Sequence, residues 1–415
     1  MEPNTDAHTA LIAATLRDRF GLSPEHLGIQ RVEHAKNNHV YLVDMAPPTS
    51  ELREDASSRP QPFTSVIPAG TSRLVFRIAN ADASLEDAVR VRNEVACLAL
   101  GRQALASVDA RLVPRVYAWN DRLDAEGGGL RWILEEWKGG ETWSADRVEA
   151  LDEETQRLVL DQLAAVVKAF QDFRLPDGSR GFGGLTFDDD GVLANTASTI
   201  PCGGPFATYA DFLKGMCLWQ RAASERSPHL NGWRDVPALR TRLDALFAGG
   251  LDELLARVPA QQPTLVHADL CFPNLLFDPA THRLAAVLDF DFSHVGAPVS
   301  EFLFSFWDVN GILPGSAEPQ GPVRKWLLKG FPKRIDARFR LARSWDEALG
   351  RAGAKKPSSI EEAGHVADIW WFSQELCQAY WFMDRFVAHK SEEALAKLKA
   401  GSARRLEKFL ALWGF

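Results

Sequence analysis

The spacing of apolar positions changes along the chain, and the changes mark its elements. Between Ala7 and Phe20, Leu11, Ile12, Leu16 and Phe20 recur at helical spacing, and Gly21 closes the segment. Short β-like runs follow at Ile29–Val32, Val40–Val43, Leu74–Ile78, Val113–Trp119 and Leu130–Trp137. Residues 46–70, rich in Pro, Ser and charge, interrupt this series and read as a mobile inserted loop rather than a domain. Ser84-Leu85-Glu86-Asp87 has the form of a capping box, predicting a helix that carries Glu94. Past Gly139-Gly140, a natural hinge, the period is mostly helical, with Leu160, Leu163, Val167 and Phe170 on one face. The Gly/Asp-rich stretch 178–191 and the segment 198–206 predict irregular chain before another helix from Tyr209. There is no internal repeat.

One hairpin carries chemistry. Leu275-Leu276-Phe277 and Leu284-Ala285-Ala286-Val287-Leu288 are two apolar runs separated by the turn signal Asp278-Pro279-Ala280-Thr281-His282. In an antiparallel pair the residue entering the first strand faces the residue leaving the second, which sets Asn274 beside Asp289. Asp269 arrives from the loop just before. Three oxygen-bearing side chains then converge, as a hard cation and an attacking hydroxyl require. Taken singly, each residue is explained as well by a turn cap; the set in this order favours the chemistry.

The string His267-Ala268-Asp269-Leu270-Cys271-Phe272-Pro273-Asn274, followed by Asp289-Phe290-Asp291 and Gly296-Ala297-Pro298-Val299-Ser300-Glu301, resembles the aminoglycoside phosphotransferase and choline kinase superfamily. The segment Gly203-Gly204-Pro205-Phe206 is similar to segments of its fungal members. The resemblance implies an α+β, bilobal protein-kinase-like fold: residues 1–137 form a nucleotide-binding lobe with an insertion at 46–72, 138–140 a hinge, and 141–415 a larger, mainly helical catalytic lobe. It implies ATP and Mg²⁺ as cofactors, Asp269 as the group that orients and deprotonates the acceptor, and Asn274 and Asp289 as the metal ligands. His267 would brace the loop; Asp291 is a candidate supporting acid behind the metal ligands, which a surface-facing strand end explains equally well, and Glu301 stands where the family usually has Asp. Arg77 and Glu94 suggest an ion pair; the family has Lys at the strand position, so Arg77 would grip phosphate with a longer, planar group. An ordinary surface salt bridge is the alternative. The turn His34-Ala35-Lys36-Asn37-Asn38-His39 lies where such folds cover phosphate, which makes Asn38 a candidate nucleotide contact. Glu136, Trp137 and Lys138 would surround the base through backbone groups.

Composition narrows the partners. At 415 residues the chain exceeds one compact core, and a formal net charge of -8 without a basic stripe disfavours nucleic acid. The amino-terminal stretch is polar and amphipathic, so a soluble, cytoplasmic protein without a membrane partner is expected; oligomeric state is not legible. Cys97, Cys202, Cys217, Cys271 and Cys377 form no C-x-x-C pair and read as buried small hydrophobes. Downstream, Trp307, Trp326, Trp345, Trp370, Trp371, Phe372, Tyr380, Trp381 and Phe382 interleave with Asp308, Asp368, Glu375 and Asp384. Trp307, Asp308, Trp371 and Glu375, with Glu301, are therefore candidate contacts for an amine-bearing or aromatic substrate, against the alternative of core packing. Glu301 follows Asp289 by only twelve residues, too few for a peptide-docking segment, so a small-molecule hydroxyl acceptor is expected. The competing expectation is a pseudokinase-like nucleotide-binding protein without turnover, suggested by Arg77 and the glycine-free turn.

Overall fold

The computed structural model describes residues 5–33, 37–52, 60–122, 129–227, 232–317, 321–377 and 387–415. Helix α1 (Thr5–Phe20) lies on a five-stranded antiparallel sheet formed by β1 (Leu27–Val32), β2 (Asn38–Met45), β3 (Arg73–Ala79), β4 (Val116–Asn120) and β5 (Trp132–Glu136), in the order β1-β2-β3-β5-β4. Alternation decides the two faces. Tyr41, Val43, Leu74, Phe76, Ile78 and Leu134 meet Ile12, Leu16 and Phe20 of α1 in one small core. The opposite face, to which Ile133 and Val116 belong, packs on α2 (Arg90–Ala104) and is continuous with the large core. Arg77 falls on that second face because it is flanked by inward-facing Phe76 and Ile78.

Two expectations for this lobe are corrected. The described flanks of the 46–72 insertion are packed rather than loose: Leu52 and Ile67 exchange backbone hydrogen bonds at 3.0 and 2.9 Å, and Ile67 is fully buried. The Gln61 side chain donates to Trp119 O at 3.0 Å and accepts from Trp119 N at 3.1 Å, while Ser65 N donates to Val116 O, so the segment covers the exposed edge of β4. The helix expected at Ser84 begins at Arg90 instead. Ser84 adopts φ 56°, which ends a short turn capped by Asn80, and Glu86 N is tied to Thr199 O at 2.9 Å.

The remaining elements are mainly helical. They are α3 (Ala145–Glu149), α4 (Glu153–Asp172), α5 (Tyr209–Arg226), α6 (Pro237–Ala245), α7 (Leu251–Leu255), α8 (Glu301–Phe304), α9 (Val323–Lys329), α10 (Arg340–Ala352), α11 (Ala363–Leu376) and α12 (Glu392–Trp413). Asp152 caps α4 through the amides of Glu154 and Thr155, and Leu160, Leu163, Val167 and Phe170 enter the core as their spacing requires. Among the described residues no helix is long and apolar enough to cross a membrane.

The link between lobes is short. Gly140 takes φ 125° with Leu276 Cβ and Phe277 O each 3.0 Å from where a β-carbon would stand, so only glycine fits. Directly after it β6 (Glu141–Thr142) pairs with β10 (Leu275–Phe277), whose other neighbour is β11 (Leu284–Val287). Strands β9 (Thr264–Val266) and β12 (His294–Gly296) pair beside this hairpin. Part of the Gly/Asp-rich stretch expected to be irregular forms a second hairpin, β7 (Gly184–Phe187) with β8 (Leu193–Thr196): Leu185 and Phe187 are buried, and the polar residues occupy the turn.

Candidate active site

β9 delivers the chain into a loop that is fixed almost entirely through its backbone. Ala268 takes φ 64°, a conformation an alanine holds only when its surroundings impose it. Glu301, at the start of α8, imposes it by accepting from His267 N at 2.9 Å and Ala268 N at 3.0 Å. Ser305 donates to the same carboxylate and accepts from Leu270 N at 2.8 Å, and Asp308 accepts from Phe272 N at 2.5 Å. The His267 ring joins two segments: Nε2 lies 3.0 Å from Leu288 O and Nδ1 accepts from Asp269 N at 3.3 Å. Burial pushes this imidazole down to about 4, so near neutral pH it is uncharged and braces rather than reacts.

The loop presents Asp269. Asn274 donates to its backbone carbonyl at 2.9 Å and to its carboxylate at 2.8 Å, which leaves the Asn274 carbonyl oxygen available to a cation. Cys271 places its thiol 3.4 Å from Asp269 O and 3.7 Å from Asp269 Oδ1. Burial raises the Asp269 carboxyl to about 6; the bonds from Asn274 and Cys271 oppose the rise, and the neighbouring Asp291 and Asp308 add to it. A carboxylate near that value is suited to accept a proton close to neutrality.

A second group of charges gathers around Arg77. Its Nη1 is hydrogen-bonded to Glu94 on α2 and lies 3.8 Å from Glu135 on β5; Nη2 lies 3.2 Å from both Asp289 and Asp291. The surface salt bridge considered as an alternative is therefore ruled out: Arg77 is buried and meets four carboxylates. Burial works against its charge, but Glu94 first, then Asp291, Glu135 and Asp289, hold the guanidinium protonated. Arg90, also buried, approaches Asp291 at 3.9 Å and donates to Asn37 O and Asn80 O, tying the β1–β2 turn to α2. Burial pushes Asp289 up to about 7, with Asp291 adding repulsion; Asp291 is pulled down in spite of burial because Arg77 and Arg90 both face it.

Carboxylate oxygens of Glu94, Asp289 and Asp291 lie within 4.8 Å of one another. Arg77 and Arg90 face Glu94, Glu135, Asp289, Asp291 and Asp87, and a divalent cation would offset part of the excess negative charge. Hard oxygen donors at this spacing suit Mg²⁺. The hairpin register departs slightly from expectation. Leu288 N donates to Asn274 O, so Leu288 rather than Asp289 stands opposite Asn274, and Asp289 follows with φ 64°, turning its carboxylate towards Arg77.

Several expected contacts are placed elsewhere. Asn38 does not face outwards from the turn; it lies in β2, donating to Asp291 at 2.8 Å and accepting from Arg90 at 3.3 Å, whereas His34, Ala35 and Lys36 lie outside the described residues. Glu136 accepts from Arg115 N and Lys138 donates to Arg111 O, so both side chains secure the segment before β4, while Trp137 is 40% exposed beneath Arg73. Glu301, expected to touch substrate, is buried behind the loop with both oxygens on backbone amides. Glu375 is buried in a two-bond pair with Arg405, and Trp371 donates to Leu313 O, which makes them packing residues. Trp345, Trp370 and Phe372 are core as well, and Tyr380, Trp381, Phe382 and Asp384 lie outside the described residues. Of the aromatic series Trp307, 54% exposed beside Asp308, remains at the loop. Glu135 and Arg90 were not anticipated; a carboxylate at an alternating apolar position of β5 was the available signal for Glu135.

A two-lobed kinase-like fold with these acidic groups between the lobes defines a phosphotransferase class. The sequence profile of the phosphotransferase enzyme family matches residues 64–334, and the chain belongs to that family. Among solved structures it is similar to a protein of Ralstonia eutropha assigned as an aminoglycoside phosphotransferase, with 17% identity, TM-score 0.51, and coverage of 99% of this chain and 98% of that one. It is similar also to the streptomycin–ATP–APH(2″)-IIa ternary complex, at 13% identity, TM-score 0.51 and 96% of each chain. A third similar structure is a Haemophilus somnus protein assigned as a fructosamine-3-kinase, at 12% identity, TM-score 0.51, and 95% of this chain against 96% of that one. These likenesses establish the fold. No curated protein matches the sequence.

Proposed function

We propose that the protein transfers the γ-phosphoryl group of ATP, with Mg²⁺, to a hydroxyl of a small molecule, an amine-bearing or aromatic alcohol. The observation that carries this reading is Asp269, raised to about 6 and held by Asn274 in the loop that leads into the hairpin ending at Asp289. In the proposed reaction Asp269 orients the acceptor hydroxyl and takes its proton as the new P–O bond forms and the bond to ADP breaks. Asp289 and the Asn274 carbonyl oxygen would hold the cation, with Asp291 beside them; the bound ion would neutralise charge on the transferred group. Arg77 contributes the fixed positive charge from the nucleotide side, and the 136–138 backbone would meet the base. Trp307 and Asp308 would contact the acceptor. Five free, buried cysteines agree with a reducing compartment such as the cytoplasm.

The fructosamine-3-kinase assignment of one similar structure and the streptomycin bound in another favour a polar, amine-bearing acceptor. The test is ATP consumption against a panel of amino alcohols, sugars and hydroxylated aromatics. Transfer is expected with at least one class and is expected to vanish in Asp269→Ala with nucleotide binding retained. A nucleotide-binding protein without turnover is the second reading, favoured by Arg77 bridging Asp289 and Asp291; it predicts binding of ATP–Mg²⁺ and no transfer to any acceptor.

A further inference from the structure

Asn93 precedes Glu94 on α2 and is fully buried. A carboxamide inside a helix is costly unless its groups are satisfied; apart from a weak contact from the Cys97 thiol to Oδ1 at 3.8 Å, its two partners here lie outside the helix. Nδ2 donates to Ser293 O at 2.8 Å, and Oδ1 accepts from Leu185 N of β7 at 2.8 Å. Ser293 is two residues beyond Asp291, and its hydroxyl donates to His267 O at 3.1 Å. One side chain thus joins the helix bearing Glu94, the chain leaving Asp289–Asp291, the base of the Asp269 loop and the β7–β8 hairpin.

The hairpin reaches both lobes. Arg92 donates to Phe187 O at 2.6 Å, with its guanidinium 5.3 Å from the Phe187 ring and 5.2 Å from Trp119 of β4. Gly183 exchanges hydrogen bonds with Val295 of β12 at 2.9 and 2.8 Å. Gly101, about two turns further along α2, brings the helix so close to Phe290 that a β-carbon would stand 2.9 Å from its ring.

We propose that Asn93 is a positioning residue for phosphoryl transfer, and that the β7–β8 hairpin clamps α2 so that Glu94 stays turned towards Arg77, Asp289 and Asp291 before any ligand binds. The inference rests on the proposed kinase function. Its physical basis is that Ser293 O and Leu185 N are both buried, so α2 cannot swing away without leaving two polar groups without partners. The nucleotide half of the site, Arg77 and Glu94, is thereby locked to the cation half, Asp289 and Asp291.

The test compares the full-length protein with Asn93→Leu, close in size but without hydrogen-bonding groups, and with Arg92→Met, which removes the bond to the hairpin at Phe187 O together with the ion pair to Asp121 but leaves the Asn93 bonds in place. Hydrogen exchange over residues 90–104 is measured without ligand, and KM for ATP, KM for the acceptor and kcat are measured in parallel. Asn93→Leu is expected to speed α2 exchange, raise KM for ATP about tenfold or more and lower kcat, while KM for the acceptor stays unchanged. Arg92→Met is expected to move the same quantities in the same direction by less, and it serves alone should Asn93→Leu fail to fold. Unchanged KM for ATP in a variant with faster α2 exchange overturns the positioning role, and unchanged exchange overturns the clamp. A wild-type protein that binds no ATP–Mg²⁺ sinks the kinase reading, and the positioning role with it; that outcome is visible before any variant is made.

Discussion

The 267–274 loop and the cluster around Arg77 both bury polar groups against the cleft, but they are held by different forces. In the loop, neutral amides of His267, Ala268, Leu270 and Phe272 donate to side chains that arrive from within forty residues, at Glu301, Ser305 and Asp308. Around Arg77, full charges from β3, α2, β5 and the Asp289–Asp291 segment compensate one another, Arg77 and Asp289 being 212 residues apart in sequence. Losing one bond in the loop leaves a single neutral amide unpaired, at a cost of about 1–3 kcal/mol. The cluster cannot lose a cation without leaving several buried anions unpaired. The proposed chemistry thus falls on the locally scaffolded element, while the charged cluster joins β3, β5 and α2 to the end of the hairpin.

The sharpest way to break this contrast is at Asp269. Asp269→Ala should lower kcat by about 10²- to 10⁴-fold with unchanged nucleotide affinity and thermal midpoint, read by coupled ATP turnover and calorimetry. Next is Arg77→Met, which leaves four carboxylates facing one another and should cost about 3–5 kcal/mol in urea unfolding. Arg77→Lys sharpens the point: if guanidinium geometry matters, Glu135→Gln should cost less in that background than in the wild type, in a double-mutant cycle. Glu301→Gln is a smaller perturbation. One of its atoms becomes a donor opposite an amide donor, at a cost of about 1–3 kcal/mol, with kcat falling because Ala268 loses its restraint.

Acidity supplies a milder test. As a base Asp269 must be deprotonated, so kcat/KM should fall as pH drops below about 6, the value set by its burial. Asp308→Asn removes a negative neighbour that helps raise Asp269, and should move that limb to lower pH. Equal limbs in both proteins would show that Asp269 does not titrate in the rate. The smallest effect on stability is expected at exposed Trp307: Trp307→Ala should change unfolding by under about 0.5 kcal/mol yet raise KM for the acceptor. An unaltered KM would remove Trp307 from the acceptor site.

Much of this contrast was legible along the chain, and unevenly. The hairpin from Leu275 to Leu288 follows from two apolar runs and a polar turn, all local, and the bracing role of His267 is met by its bonds to Leu288 and Asp269. The Arg77–Glu94 pair was also readable, since strand and helix neighbours suggested it. Its burial was not, because that depends on Glu135 and the Asp289–Asp291 pair arriving from two other segments. The same limit explains the failures. Glu375 and Trp371 look like a cationic-ligand cage in a sequence rich in aromatics and acids, yet Arg405 and the Leu313 carbonyl reach them first. Ser84-Leu85-Glu86-Asp87 spells a helix start, but Ser84 takes φ 56° and Glu86 N is bonded to Thr199 O, and the helix begins only at Arg90.

Sequence alone was sufficient for the family of fold, through a short ordered string that resembles the family, and for bringing Asp269, Asn274 and Asp289 to one hairpin, through its turn chemistry. The tertiary structure decided which carboxylates face Arg77, that Glu301 supports the loop instead of touching substrate, and that Asn93 ties α2 to the segment after Asp291. Those choices are made by groups far apart in sequence competing for the same buried partners. The competition is settled by packing and compensation of charge, and neither is written in any local pattern of residues.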